Sequence, residues 1–136
     1  MGLRKLARRH ALVNMSWIDR VRFDADTIEE ALRHLSGSVD LVLTTGGTGF
    51  APRDVTPEAT ARVVERATPG LDEHMRAVST AASPHGMLSR GRSGISGSAL
   101  IVNFPGSPRA CGELFDAVAP ALDHGLKLLL DLPTAH

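Results

Sequence analysis

The stretch LVLTTGGTGFAPRDVTPEA, residues 41–59, decides the fold. From Val39 to Thr44 a short apolar run ends in threonines and glycines, the pattern of a strand buried on both faces of a parallel sheet. Thr56-Pro57-Glu58 then reads as an N-cap, a proline at the first helical position and a first-turn acid, so a helix is expected to run to about Ala67. Between the two, Gly46-Gly47-Thr48-Gly49 leaves the backbone nearly bare of side chains. Consecutive N–H groups there can approach a ligand closely and present a concave donor array to an anion. The turn matches neither common nucleotide loop. A Walker loop would close on Gly-Lys-Ser/Thr, and the dinucleotide fingerprint needs a third glycine where Pro52 stands. Taken alone, such a turn is more often a structural connection than a ligand loop.

Working outward, LRKLARRHAL, residues 3–12, has apolar residues near helical spacing with arginines on the other face and predicts a short amphipathic helix. VNMSWIDRVRF, residues 13–23, alternates and predicts a strand. A helix is expected from Asp26 to Leu35, with an acidic first turn and Gly37 just past its end. Thr68-Pro69-Gly70 breaks the helix begun at Thr56, and a further amphipathic helix follows over about Leu71 to Ala81. SPHGMLSRGRSGISGS reads as irregular, ALIVNF at 99–104 as a strand, and the rest as a helical region that Pro120 should break or kink. Strands alternating with helices predict a single α/β domain over residues 1–136, with a mostly parallel sheet and ligands beyond the carboxyl ends of the strands.

Composition narrows the chemistry. Fifteen basic and fifteen acidic residues cancel, so no global field draws the chain to nucleic acid or membrane. Within the first 22 residues, the bias of Arg4, Lys5, Arg8, Arg9, Arg20 and Arg22 against Asp19 alone fits a charged helix face. Cys111 is the only cysteine, which excludes an internal disulfide and a thiolate metal cluster; it reads as a small apolar residue on a helix. No segment reaches the roughly 20 apolar residues of a membrane span and no cleavable leader is recognisable, so a soluble cytoplasmic protein is expected. The six histidines lack metal-ligand spacing, the serines near His85 lack an acidic partner and an elbow motif, and the aromatics are too few for a base-stacking platform.

Two further segments resemble the first glycine turn. Ser93-Gly94-Ile95-Ser96-Gly97-Ser98 offers small residues and hydroxyls before a strand, and Asn103-Phe104-Pro105-Gly106-Ser107-Pro108 follows at that strand's end. Ser107 before Pro108 has the look of an N-cap, whose orphan N–H groups favour phosphate. Three anion-capable turns suggest a large phosphorylated ligand. Asp54, beside such a cradle, would be repelled by the ligand unless a divalent cation lay between them, which implies Mg²⁺. The alternative is that Asp54 accepts backbone N–H bonds at the helix entrance, and Asp24 and Asp26 read by default as helix-start acids.

TTGGTGFAPRDVTPEAT, SRGRSGISGSALIVNFPGSP and VAPALDHGLKLL together closely resemble the molybdopterin adenylyltransferase family, which includes bacterial Mog/MoaB-type proteins and the gephyrin G domain. The resemblance covers about residues 24–130 and implies a three-layer α/β/α fold, commonly trimeric. It also implies binding of molybdopterin, adenylylation of its phosphate by Mg-ATP with release of pyrophosphate, and delivery to a molybdenum-insertion enzyme. Carried over by motif position, Gly46, Gly47, Thr48 and Gly49 line the ligand cleft, Asp54 is the functional, metal-facing aspartate, and Glu58 opens the helix beside it. Ser93, Gly94, Ser96, Gly97 and Ser98, with Asn103, Pro105, Gly106 and Ser107, correspond to segments that contact nucleotide and pterin phosphate, and Asp24 lies near a second functional aspartate. The family's opening apolar strand, ending in Ser-Asp and a glycine loop, has no counterpart before LRKLARRHAL. The domain is therefore expected to lack it, and a non-catalytic molybdopterin-binding or scaffold protein is the alternative function.

Overall fold

The structure, a computed structural model, describes residues 10–14 and 24–134. In chain order its elements are strand β1 (His10–Asn14), helix α1 (Ala25–Ser36), β2 (Leu41–Thr45), α2 (Thr56–Val63), the short β3 (Arg66–Ala67), α3 (Pro69–Ala82), a 3₁₀ turn (Pro84–Leu88), β4 (Ser93–Ser96), β5 (Ala99–Phe104) and α4 (Pro108–Leu129). The strands form one sheet in the order β1-β2-β5-β4-β3.

Strand periodicity builds the layers. Leu41, Leu43, Leu100, Val102 and Phe104 point to one face, where Met75 of α3 and Leu114, Val118, Leu122 and Leu126 of α4 cover them. Val42 and Ile101 point to the other, under Ile28 and Leu32 of α1 and Ala59 and Val63 of α2. Helices on both faces make the expected three-layer α/β/α domain, and they explain why β2 and β5 are apolar on both sides.

The sheet is mixed. β1, β2 and β5 run parallel, with Leu43 opposite Leu12 and Val102, whereas β4 pairs antiparallel with β5 and β3 with β4. Gly97-Ser98 is the cause: only an antiparallel hairpin can be closed by two residues, and Gly97 supplies the positive φ of 59° that such a turn requires. The parallel expectation therefore holds for the half of the sheet beside the glycine turn. β4 is a strand where the sequence predicts irregular chain, because SGIS carries only one large apolar residue to mark it.

Several boundaries differ from expectation. His10–Asn14 is a strand, not the end of a helix, because its backbone pairs in register with the buried β2; residues 3–9 of the expected helix and 15–23 of the expected strand lie outside the described residues. α2 stops at Val63 instead of Ala67, since Val64 is extended and Glu65 N–H and Arg66–Ala67 bond to β4. Pro69 starts α3 rather than only breaking α2. α4 runs through Pro120 without a break. Pro120 is exposed, so water can take the carbonyl of Asp116 that loses its helical partner.

Candidate functional site

The carboxyl ends of β2 and β5 place two turns side by side. Gly46 N–H bonds Phe104 O at 2.9 Å, and a Cβ on Gly106 would lie 3.4 Å from Gly46 Cα, so the glycine turn and the Pro105-Gly106-Ser107 turn touch. Gly46 and Gly47 have φ of 90° and 69°, the left-handed region glycine alone enters freely. A side chain at Gly47 would also overlap Thr56 Oγ1, which donates to Gly46 O at 3.1 Å, while Thr56 N–H bonds Gly47 O. Thr56 is thus the first residue of α2 and a lock on the turn; the N-cap is Val55, with no side-chain cap bond. Ser107 is the N-cap of α4, accepting from Ala110 N–H at 3.5 Å, and it is exposed. The N-terminus of that 22-residue helix therefore opens beside the glycine turn, a place where its dipole and orphan N–H groups favour an anion.

Asp54 is half-buried at the end of this loop. Its Oδ2 accepts the Ala51 N–H at 3.1 Å, and a Cβ on Gly49 would come within 2.9 Å of the same oxygen. The carboxylate is thus held against the glycine loop by the loop's own backbone, and it caps no helix. Asp24 is placed differently. It is the exposed N-cap of α1, accepting Thr27 N–H at 2.8 Å, and that bond holds its pKa below the usual carboxylate value. Asp26 pairs with Arg62 at 2.7 Å. The default reading of both as helix-start acids is what the geometry displays; among the described residues no bond links Asp24 to the glycine loop.

The segment before β4 closes the site from the other side, through a residue no motif singled out. Arg90 N–H bonds Thr48 O at 2.8 Å; its Nε bonds Gly49 O at 2.8 Å and its Nη2 bonds Asp54 O at 2.6 Å. Nη1 grips both carboxylate oxygens of Glu58, at 2.7 and 2.9 Å. Arg90 holds the Glu58 carboxyl below its usual pKa, and Glu58 in turn raises that of Arg90. The sequence signal was an Arg-Gly-Arg inside a run of small residues, but its partners lie about 30 to 40 positions upstream. Local pattern could not find them.

The second predicted anion turn separates. Ser93 and Gly94 begin β4 at the carboxyl end of β5, but Ser96 pairs with Ala99 and Gly97-Ser98 turns the hairpin at the opposite end of the sheet. Ser96, Gly97 and Ser98 therefore do not join the glycine loop, because the antiparallel strand carries them away from it. Gly94 is fixed by packing, since a side chain there would strike Val64. The Ser93 hydroxyl is buried, 2.6 Å from Asp72 Oδ1, and receives the Thr68 hydroxyl at 2.8 Å. Burial raises the Asp72 pKa. Asn103 is likewise internal: Oδ1 accepts Arg92 N–H at 3.0 Å, and Nδ2 donates to Thr44 and Thr60 hydroxyls at 2.9 and 3.0 Å. It braces β2, α2 and the Arg90 segment, leaving its side-chain groups satisfied by protein.

The assembled site is a glycine turn, one adjacent carboxylate, an exposed helix N-terminus and a guanidinium clamp on the turn's carbonyls. No group of three or more His, Cys, Asp or Glu side chains that could enclose a metal occurs among the described residues. A single carboxylate fits Mg²⁺ carried by phosphate oxygens, the form in which that ion is commonly bound.

Comparison with known proteins shows the family of the chain. The family model described as probable molybdopterin binding domain matches residues 3–124. The chain is 43% identical over 109 residues to a molybdopterin adenylyltransferase of Helicobacter pylori, covering 79% of this chain and 62% of that protein. To the molybdopterin adenylyltransferase of Escherichia coli it is 49% identical over 84 residues, 62% of this chain and 43% of that one. The chain thus spans less than two-thirds of the length of these curated relatives. Among solved structures, the Mog protein of Mycobacterium ulcerans superposes with a TM-score of 0.81 at 31% identity, covering 92% of this chain and 98% of that one. MoaB of Thermus thermophilus gives 0.77 at 34%, covering 91% and 95%.

Proposed function

The chain belongs to the molybdopterin-binding domain family, and we propose from that premise that it adenylylates the phosphate of molybdopterin with Mg-ATP during molybdenum cofactor biosynthesis. The observation that supports this most is the placement of Asp54 against a glycine turn whose neighbours are the Gly106 turn and the N-terminus of α4. Adenylyl transfer needs such a set. Two polyanions must meet, and the pterin phosphate oxygen must bond to the α-phosphorus of ATP as the bond to the β-phosphate oxygen breaks and pyrophosphate leaves with its electron pair. Little covalent work falls to the protein, so rate comes from positioning and charge neutralisation.

In this reading Gly47, Thr48 and Gly49 offer backbone N–H groups to phosphate oxygens, while Gly46, whose N–H is taken by Phe104 O, lines the cleft and shapes the turn, and the Gly106–Ser107 turn with the first turn of α4 receives a second phosphate. Asp54 would hold Mg²⁺ brought by the nucleotide, and the ion supplies neutralisation of phosphate charge. Glu58 and Arg90 keep the loop in shape. Asn103 and Ser93 support the site from within, through bonds to Thr44, Thr60, Arg92 and Asp72. Asp24 is the less supported of the two aspartates, since its carboxylate is engaged by α1.

Residues 1–136 act in this proposal as one domain that assembles as a homotrimer in the cytoplasm and passes its product to a molybdenum-inserting enzyme. Support for self-association is an apolar cleft of about 440 Å³ between α3 and α4, lined by Leu71, Ile95, Val118 and Leu129, together with Leu128 at 56% exposure. Among the described residues no helix is long and apolar enough to cross a membrane.

Isothermal titration with Mg-ATP, followed by mass analysis of molybdopterin incubated with both, tests the reading. Nucleotide binding and a product heavier by one adenylyl group are expected. Pterin binding with no nucleotide binding would replace the enzyme by a molybdopterin-binding scaffold.

A further inference from the structure

A loop with glycine at 46, 47 and 49 has many conformations open to it in the unfolded chain, and ordering them costs about 1–2 kcal/mol per residue. Its backbone also carries as many carbonyl oxygens as N–H groups, and a carbonyl facing a phosphate repels it. Arg90 addresses both difficulties at once. Its main-chain N–H takes Thr48 O, and its guanidinium takes Gly49 O and Asp54 O while clamped to Glu58 on the first turn of α2. The planar fork meets acceptors in three directions, which a lysine ammonium on a flexible stem cannot hold together.

We propose that Arg90 is the positioning residue of the glycine loop: by drawing the carbonyls of Thr48, Gly49 and Asp54 onto itself, it leaves the loop N–H groups and the Asp54 carboxylate as what a phosphate ligand meets. Arg90 acts through the loop and not on the reacting atoms. The chemistry served rests on the adenylyl-transfer reading; the positioning is a property of the folded loop.

The test compares the unmodified chain with Arg90→Lys and Arg90→Ala by amide hydrogen exchange without ligand and by pyrophosphate release from Mg-ATP with molybdopterin. Exchange over residues 48–54 should accelerate by about tenfold or more in both variants while β2 and β5 keep their protection. Turnover should fall by about tenfold or more in Arg90→Lys despite its retained charge, and millimolar guanidinium should partly restore turnover to Arg90→Ala. Unchanged loop exchange with weaker ATP binding would make Arg90 a direct ligand contact and overturn the proposal. Loss of protection throughout β2 and β5 would reduce it to a general stabiliser and overturn it equally. If the unmodified chain releases no pyrophosphate, the adenylyl-transfer reading falls, and loop exchange still decides the role of Arg90.

Discussion

Asn103 shows what a buried side chain does when all its groups have partners. Replacing it by Ala orphans the Arg92 N–H and two hydroxyl partners at once, so Asn103→Ala should lose about 3 kcal/mol in urea unfolding. A loss under about 0.5 kcal/mol would mean that the brace is replaceable by water. Asp72 predicts a pH dependence. Its pKa is raised above 3.8 by burial, so between that value and the folded one the native state binds more protons than the unfolded chain. The contribution to stability is full below the unfolded pKa and is lost as pH rises through the folded pKa. Asp72→Asn can keep an acceptor for Ser93 without the buried charge, so it should remove this decline and equal or exceed the unmodified chain in stability at about pH 7. Unfolding curves between about pH 4 and pH 7 measure it, and a steeper decline in the variant would contradict the sign.

Among the elements, β2, β5 and the glycine turn were legible because each is specified locally, by an apolar run and by residues that only a tight turn needs. α1, with its Asp24 cap and Gly37 stop, was legible for the same reason. β4 and the end of α2 were not: SGIS is a strand through its hairpin with β5 although it carries one large apolar residue, and Arg66–Ala67 is a strand through pairing with β4 across about 30 residues that no local pattern displays. Arg90 was invisible for a related reason: its bonds with Glu58 and the loop join segments distant in sequence. The seriousness of Pro120 was overstated because its position on the exposed face of α4 could not be seen. That position yields a prediction. Pro120→Ala restores an N–H for the Asp116 carbonyl, and the gain in helix propensity exceeds the unfolded-state entropy that proline removes, so stability should rise by about 1 kcal/mol. Thermal melting decides it, and a lower midpoint would show that α4 is shaped around the proline.

At the scale of the whole molecule, a mixed five-stranded sheet between two helical layers brings the ends of β2 and β5, the start of α4 and the segment before β4 to one edge. Self-association should appear in light scattering as a mass near three chains at micromolar concentration, and a clean monomer would contradict the proposed trimer. Asp54→Asn can retain an acceptor for the Ala51 N–H, so the fold should melt at nearly the same temperature. It removes the charge assigned to Mg-ATP, so pyrophosphate release from ATP in the presence of molybdopterin should fall by about a thousandfold or more. That assay on the two proteins side by side is the direct measurement: loss of turnover with an unchanged melting temperature is the predicted result, and near-normal turnover in Asp54→Asn would contradict the account.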